Sequence, residues 1–437
     1  MSTTKIIRIA EASQHVDEIV TIQGWLYNHR SSGKIRFLEL RDGSTGTIQA
    51  VVAPGNCDEA SFQASSELTQ ESSLIVTGKV KKHPKKDGVF ELDVTHLTLV
   101  QKAEINYPIS HKEHGPEFLM QNRHLWLRTP RQTAIMRVRA SIIKSIRDFF
   151  DSRDFVLMDA PILTPSACEG TSTLFETEYF DETAYLTQSG QLYGEVGAFA
   201  LGKTYVFGPT FRAEKSKTRK HLTEFWMVEP EIAFWDIDQN MDLGESLVTQ
   251  IMKDILARNQ AELKILGRDT AKLQAIAEGG FPRVSYDECI KMLNENGHPF
   301  PWGEDFGAPE ETKIGDLFGG RPVFIHRFPK QIKSFYFKVD DKDDRLALGC
   351  DLIAPEGYGE LIGGGIREEN YETLKAAIKT HGLKEEDYNW YLDLRRYGSV
   401  PHGGFGLGLE RTVSWVCGLD HVRETIAFPR LLNYLRP

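Results

Sequence analysis

The stretch "GGFGLGLERTVSWVCGL", Gly403 to Leu419, alternates glycine with bulky apolar residues and then turns into a helix-forming run with Arg411 at its start. A glycine-rich strand that feeds a helix lets backbone lie close against a bound ligand, because no Cβ stands in the way. Taken singly, the pattern describes no more than a tight strand–helix junction. No GxxxxGK[ST] occurs in the chain, and no GxGxxG follows a strand and opens a helix. A nucleotide bound here is therefore held without a P-loop or a Rossmann turn.

The 437 residues suffice for two to three domains. No run of about 18 apolar residues is present, so no transmembrane helix is expected. The N-terminal "MSTTKIIRIAEASQHVDEIV" lacks the apolar core of a secretory signal, and a cytoplasmic location is expected. The five cysteines are scattered and form no CxxC pair, which argues against a disulfide frame or a zinc knuckle. A formal charge of −10 does not advertise nucleic acid, but five lysines crowd into "GKVKKHPKK" (78–86). Such a cluster reads first as a solvated hairpin tip and second as a phosphate contact.

Residues 19–100 alternate apolar and polar in five segments, from "IVTIQGWLYNHR" to "VFELDVTHLTLV", separated by glycine-rich turns. Five such strands in under a hundred residues predict a small closed barrel of the OB type, with residues 1–103 as its domain. Barrels of this type hold single-stranded nucleic acid on exposed aromatics and flanking hydrogen-bonders, and Arg30, Phe37 and Gln49 suit that use. A core position for Phe37 remains the alternative. Residues 104–130 carry prolines and histidines with little periodicity and read as a hinge. From 131 onward, "RQTAIMRVRASIIKSIRDFFDSRDF" places Ile135, Val138, Ile142, Ile146 and Phe149 on one helical face. Strands, turns and intermittent helices follow, which predicts an α+β domain over 131–437, built on a largely antiparallel sheet flanked by helices.

Two further segments accompany the opening stretch. One is "FVLMDAPILTP" (155–165), a strand that ends in prolines; the other is "FRAEKSKTRKHLTEF" (211–225), two strands around a basic loop. Taken in chain order, 155–165, 211–225 and 403–419, the three resemble motifs 1, 2 and 3 of the class II aminoacyl-tRNA synthetases. The barrel-like N-terminal region, with "EGTSTLFETEYF", "WGEDFG" and "FPKQIKSFYF", narrows the resemblance to the aspartyl/asparaginyl/lysyl subgroup. It extends over nearly the whole chain.

The resemblance implies an ATP site in which Arg212 stabilises the α-phosphate, Glu214 accepts from the adenine amino group and Phe225 stacks under the ring. His221 and Arg411 fall where the family meets the γ-phosphate, and Gly406 and Gly408 where its backbone passes beneath the nucleotide. Arg212 and Arg411 are the catalytic cations so implied. Asp351 and Glu360 match the acidic pair that holds Mg²⁺ on the phosphates. Pro161 falls at the family's twofold contact, which implies a homodimer, and Arg30, Phe37 and Gln49 fall at its anticodon contacts. Activation of an amino acid as its adenylate and transfer to tRNA is the implied chemistry.

Glu169, Gln191 and Glu229 match the acceptors of the substrate's ammonium group. The side chain is decided by charge within "TQSGQLYGE" (187–195). Aspartyl enzymes place a lysine where Gly194 stands, and the next residue here is Glu195; Arg367 matches their arginine. An aspartate would keep one cation, lose the other and meet an added carboxylate. Asparagine would accept from Arg367 and donate to Glu195, and a long lysyl cation would collide with Arg367. The expected partners are therefore L-asparagine, ATP with Mg²⁺, tRNA(Asn) and a second copy of the chain. The weaker alternatives are an enzyme that charges aspartate, an ammonia-dependent asparagine synthetase on the same catalytic fold, and an idle paralogue that binds single strands through its barrel.

Overall fold

Strong period-2 patterning from residue 19 produces the first unit of the computed structural model, which describes residues 4–437. Its strands are β1 (Lys5–Ile6), β2 (Ile19–Ser32), β3 (Ile35–Arg41), β4 (Ile48–Val52), β5 (Ser73–Lys82) and β6 (Phe90–Gln101). They pair in the order β1–β2–β3–β4–β6–β5, and β2 also pairs with β5, so the five long strands close into a barrel. Val20, Ile22, Leu26, Leu38, Ala50, Val76 and Leu92 fill its interior as the inward halves of the alternating strands. Phe37 lies on the opposite face of β3 from Leu38 and is half-buried, so it is not a core aromatic. Of the described residues, 4–137, with 261–267 and 436–437, make up this unit; it includes the short helices Pro116–Gln121 and Arg123–Trp126 in the segment read as a hinge.

The second unit, residues 138–260 and 268–435, is organised by one large sheet. Its strands are β7 (Val156–Leu157), β11 (Lys203–Phe211), β12 (Glu224–Ala233), β13 (Arg283–Ser285), β14 (Val323–Pro329), β15 (Val339–Asp340), β16 (Asp343–Ala354), β17 (Gly359–Ile366) and β18 (His402–Gly408). The order β13–β14–β16–β17–β18–β12–β11–β7 is antiparallel through its six central strands and parallel only at the two ends; β15 pairs with β16. A small sheet of β8 (Leu163–Thr164), β9 (Glu176–Tyr179) and β10 (Glu182–Leu186) stands apart. "FVLMDAPILTP" is thus not one strand. Its two ends belong to different sheets, and Pro161 between them lacks a backbone donor that a continuous strand needs.

The helix Pro130–Asp151 forms as its periodicity predicts, and all five residues of the predicted face are at most 2% exposed. Helix Ile237–Arg258, capped by Asp236 and Gln239 in a reciprocal box, packs Leu247, Ile251 and Ile255 into the core. Helix Leu409–Cys417 follows β18 without a loop and ends at Gly418 in the left-handed region. Its Glu410 is buried, pairs with Arg139 at 2.8 Å and accepts from the Trp226 amide at 2.8 Å, which ties β12 to both helices. Among the described residues, no helix is long and apolar enough to cross a membrane.

Candidate active site

Strand β12 supplies the floor of the site. Alternate strand residues share a face, and Phe225, Met227, Glu229 and Glu231 all line one or both of two adjoining cavities. Strand β18 lies antiparallel to it, with Gly404 opposite Glu231 and Gly408 opposite Met227. Bare glycines leave the room these side chains occupy: a Cβ on Gly404 would lie 2.5 Å from Glu231 Cδ, and one on Gly406 would lie 2.5 Å from Met227 Cε. Gly408 differs, since a Cβ there meets nothing in the protein closer than 3.8 Å.

The first cavity is lined by Arg212, Glu214, His221, Phe225, Gly408 and Arg411 among others, which brings together every residue expected to hold the nucleotide. The Arg212 guanidinium carbon lies 5.4 Å from the Phe225 ring centre, and its Nε is buried with no hydrogen-bond partner among the described residues. Burial works against its charge, but Glu169, Glu214 and Glu360 outweigh that and hold its pKa above the ordinary value. His221 approaches Glu214 at 3.7 Å. Burial pushes its imidazole pKa down, and Arg411, Arg212 and Lys220 add to this against the pull of Glu214. Arg411 donates to the Glu360 backbone carbonyl, which anchors the start of its helix to β17.

The second cavity holds Glu169, Gln191, Glu229, Glu231, Tyr336 and Arg367. Arg212, Met227, Glu360 and Gly406 line both cavities, so the two share one wall. Glu229 accepts from the Gly190 amide at 2.8 Å and from the Ser189 hydroxyl; burial pushes its carboxyl pKa up. Tyr336 donates to Glu169 at 3.0 Å. Gln188 staples the chain around Glu169: its Oε1 accepts from the Cys168 and Glu169 amides at 3.1 and 3.0 Å, and its Nε2 donates to Gly170 and Thr173.

One expectation fails in an instructive way. Glu195 is not the carboxylate that Arg367 bonds, and it does not line the cavity. It is fully buried behind the wall, where Tyr391, Arg395 and His402 occupy its carboxylate. The carboxylate that meets Arg367 is Glu231, at 2.5 Å from Nη2 and 3.3 Å from Nε. Burial pushes the Glu231 carboxyl up against the pull of Arg367, and the two-point contact favours the ion pair. Gly194 explains the exchange. A Cβ there would already lie 3.2 Å from Glu231 Cγ, so a side chain at 194 would compete for the space that Glu231 fills. The legible signal was the spacing of "EPE": Glu229 and Glu231, two apart on a strand, necessarily share a face.

Asp351 and Glu360 converge beside Gly363, where a Cβ would lie 2.7 Å from Glu360 Oε1 and 3.6 Å from Asp351 Oδ1. Lys333, which sequence reasoning passed over within "FPKQIKSFYF", donates to Asp351 Oδ2 at 2.6 Å and leaves Oδ1 toward Glu360. Two hard oxygen donors on one spot suit Mg²⁺. Among the described residues no group of three or more His, Cys, Asp or Glu gathers to hold a metal.

In the barrel unit, Arg30, Phe37 and Gln49 stand together on one surface. The Arg30 guanidinium lies 4.2 Å over the Phe37 ring and donates to Gln49 at 3.0 Å, with His83 and Lys86 lining the same hollow. Pro161 is exposed and neighbours Ile162 and Leu163, exposed by 44% and 42%, along an apolar groove that Tyr179 also lines.

The chain is similar to known proteins over nearly its whole length. Residues 115–432 match the family model described as tRNA synthetases class II (D, K and N), and residues 20–100 match the OB-fold nucleic acid binding domain. The chain is 56% identical to the asparagine–tRNA ligase of Sorangium cellulosum, with full coverage of both chains. It is 57% identical to that of Desulforamulus reducens, over 98% of this chain and 99% of the relative. The crystal structure of asparaginyl-tRNA synthetase from Pyrococcus horikoshii complexed with asparaginyl-adenylate superposes with a TM-score of 0.94 at 42% identity, with full coverage of both.

Proposed function

The chain belongs to the class II tRNA synthetases of the D, K and N group, and we propose on that footing that its amino acid is asparagine and its polynucleotide partner tRNA(Asn). It joins the two at the expense of ATP through an asparaginyl adenylate. The asparagine carboxylate attacks the α-phosphorus and expels pyrophosphate. A ribose hydroxyl at the end of the tRNA then attacks the acyl carbon and releases AMP. Neither step needs a protein nucleophile, so catalysis rests on positioning and charge stabilisation.

Arg212 stands where the two cavities meet, which suits it to the charge that builds on the α-phosphate as the carboxylate closes in. Arg411 and His221 take the distal phosphates, Phe225 stacks on adenine, Glu214 accepts from its amino group, and Gly408 lies beneath the nucleotide. Asp351 and Glu360 would hold Mg²⁺, which neutralises phosphate charge when bound. Glu169, Gln191 and Glu229 accept from the asparagine ammonium group.

The observation that carries the choice of amino acid is the Arg367–Glu231 pair, buried to within 2% and open to the second cavity. A neutral amide satisfies both partners, since its oxygen accepts from the guanidinium and its NH₂ donates to the carboxylate. Aspartate offers no donor and sets its charge against Glu231. Amino-acid-dependent exchange of pyrophosphate into ATP tests the reading: asparagine supports exchange and aspartate almost none. Equal exchange with both would overturn it.

The barrel, residues 1–103, reads the anticodon through Arg30, Phe37 and Gln49, where a stacking face and donors stand together. Residues 104–130 lead from it to the catalytic domain, 131–437. The exposed apolar groove at Pro161 is the homodimer contact. The location is cytoplasmic.

A further inference from the structure

Glu195 is buried too deeply to touch asparagine, yet it is among the most heavily bonded carboxylates in the catalytic unit. Tyr391 Oη donates to both its oxygens at 2.8 Å, Arg395 Nη2 donates at 2.8 Å, and His402 Nε2 lies 2.9 Å away. Arg395 also donates to the Glu368 carbonyl, and the His402 carbonyl accepts from the Arg367 amide, so the cluster is fixed to the strands on either side of the pocket. Burial works against the Glu195 charge, but Arg395 and His402 outweigh it and hold the carboxyl well below its ordinary range. One further donor reaches it from the cavity side: Gln191 Nε2, at 3.2 Å.

We infer that Glu195 is a positioning residue that fixes the polarity of Gln191, so that the Gln191 carbonyl oxygen, not its amide nitrogen, faces the substrate's ammonium group. A glutamine side chain has one donor end and one acceptor end of nearly the same shape, and only its partners decide which way it points. An ionised carboxylate accepts only, so it captures Nε2 and leaves Oε1 outward. Gln191 lines the second cavity, and its Oε1 takes no bond from the described residues. Helical spacing brings the two together, since residues four apart lie on one face of the helix Gln191–Leu201. The inference rests on the second cavity being the asparagine pocket.

Glu195→Gln separates this role from simple packing. Tyr391, Arg395 and His402 would claim the new amide's oxygen, and its NH₂ would turn toward Gln191. Gln191 would then flip to present its own NH₂ to the ammonium group, donor against donor. The Michaelis constant for asparagine rises about 10- to 100-fold, the worth of a hydrogen bond to a charged group, while that for ATP stays within about twofold. Adding Gln191→Glu restores an acceptor whichever way residue 191 turns, and it returns the asparagine value to near wild type. A merely structural role for Glu195 would not respond to that second change.

Glu195→Asp covers the case in which the amide variant does not fold. It keeps the charge against Arg395 but withdraws from Gln191 by a methylene, and it raises the asparagine constant while the Michaelis constant for ATP stays within about twofold. A folded Glu195→Gln or Glu195→Asp with wild-type asparagine binding, or a double variant as impaired as the single, overturns the inference. Wild-type exchange with asparagine, run alongside, tests the premise separately; its absence would remove the premise and the inference with it.

Discussion

Replacing Glu231 with glutamine should convert a pocket that rejects aspartate into one that admits it. In the wild type an incoming aspartate side chain meets Arg367 and Glu231 together, because the two are already in contact at 2.5 Å. At about 4 Å and an effective dielectric of about 20, the added like-charge contact costs about 4 kcal/mol, roughly a thousandfold in specificity. Glu231→Gln removes that repulsion but keeps the shape and one acceptor oxygen. Asparagine therefore loses only charge assistance, roughly 5- to 30-fold in kcat/KM. The ratio of kcat/KM for the two amino acids in pyrophosphate exchange should narrow by roughly four orders of magnitude, the thousandfold that aspartate regains multiplied by what asparagine loses. A second readout follows from leaving Arg367 buried without its counter-charge, which costs about 3–5 kcal/mol. The free variant should melt early, and saturating aspartate should restore part of the loss by supplying the missing anion. A folded Glu231→Gln whose discrimination stays within about threefold of wild type would refute the electrostatic account.

Other outcomes follow from the same geometry. Arg212→Ala should lower kcat for exchange by roughly 10²- to 10³-fold with a smaller change in asparagine KM, since its donors act on charge that develops late; pre-steady-state adenylate formation measures this. Gly194→Lys should displace Glu231 through the 3.2 Å approach at that position and should depress asparagine activation without restoring full aspartate use, which exchange assays with each amino acid report. Phe37→Ala should raise the tRNA KM in aminoacylation by roughly 10-fold or more, the loss of one stacked base, and leave pyrophosphate exchange untouched. Sedimentation should give a dimer at micromolar concentration, and Leu163→Glu, which puts a charge in the exposed groove beside Pro161, should yield monomer. A dimer unaffected by that change would move the contact elsewhere.

Most of the architecture was legible because it rests on periodicity. The barrel strands follow alternation that Leu38 and Leu40 bury and Phe37 and Glu39 do not, and the helix at Pro130–Asp151 follows its apolar stripe. The nucleotide side was legible for another reason: Arg212, Glu214, Phe225 and Arg411 come from two contiguous segments whose spacing survives in the fold. The amino-acid side was harder. Its walls come from the loop at Glu169, the helix at Gln191, strand β12 and the residue after β17, and no local pattern states which carboxylate will meet Arg367. Position along the chain pointed to Glu195, beside the glycine that replaces a lysine. Volume decided otherwise, because the helix turns Glu195 away from the cavity toward Arg395, while β12 and the bare Gly404 admit Glu231. Lys333 was hidden for a similar reason, since its partner Asp351 lies 18 positions on and across the sheet.

The wall shared by the two cavities has a consequence for inhibition. Arg212, Met227, Glu360 and Gly406 border both spaces, so a single molecule can fill both at once with no partition to cross. Joining an asparagine-like head to an adenosine-like tail lets the second half bind at the high local concentration set by the first. A stable mimic of the adenylate, with its labile anhydride replaced by a neutral linker, should therefore bind far more tightly than either half, and its selectivity should reside in the head. The same continuity spares the reactive intermediate any transfer, since it need not leave one chamber for another.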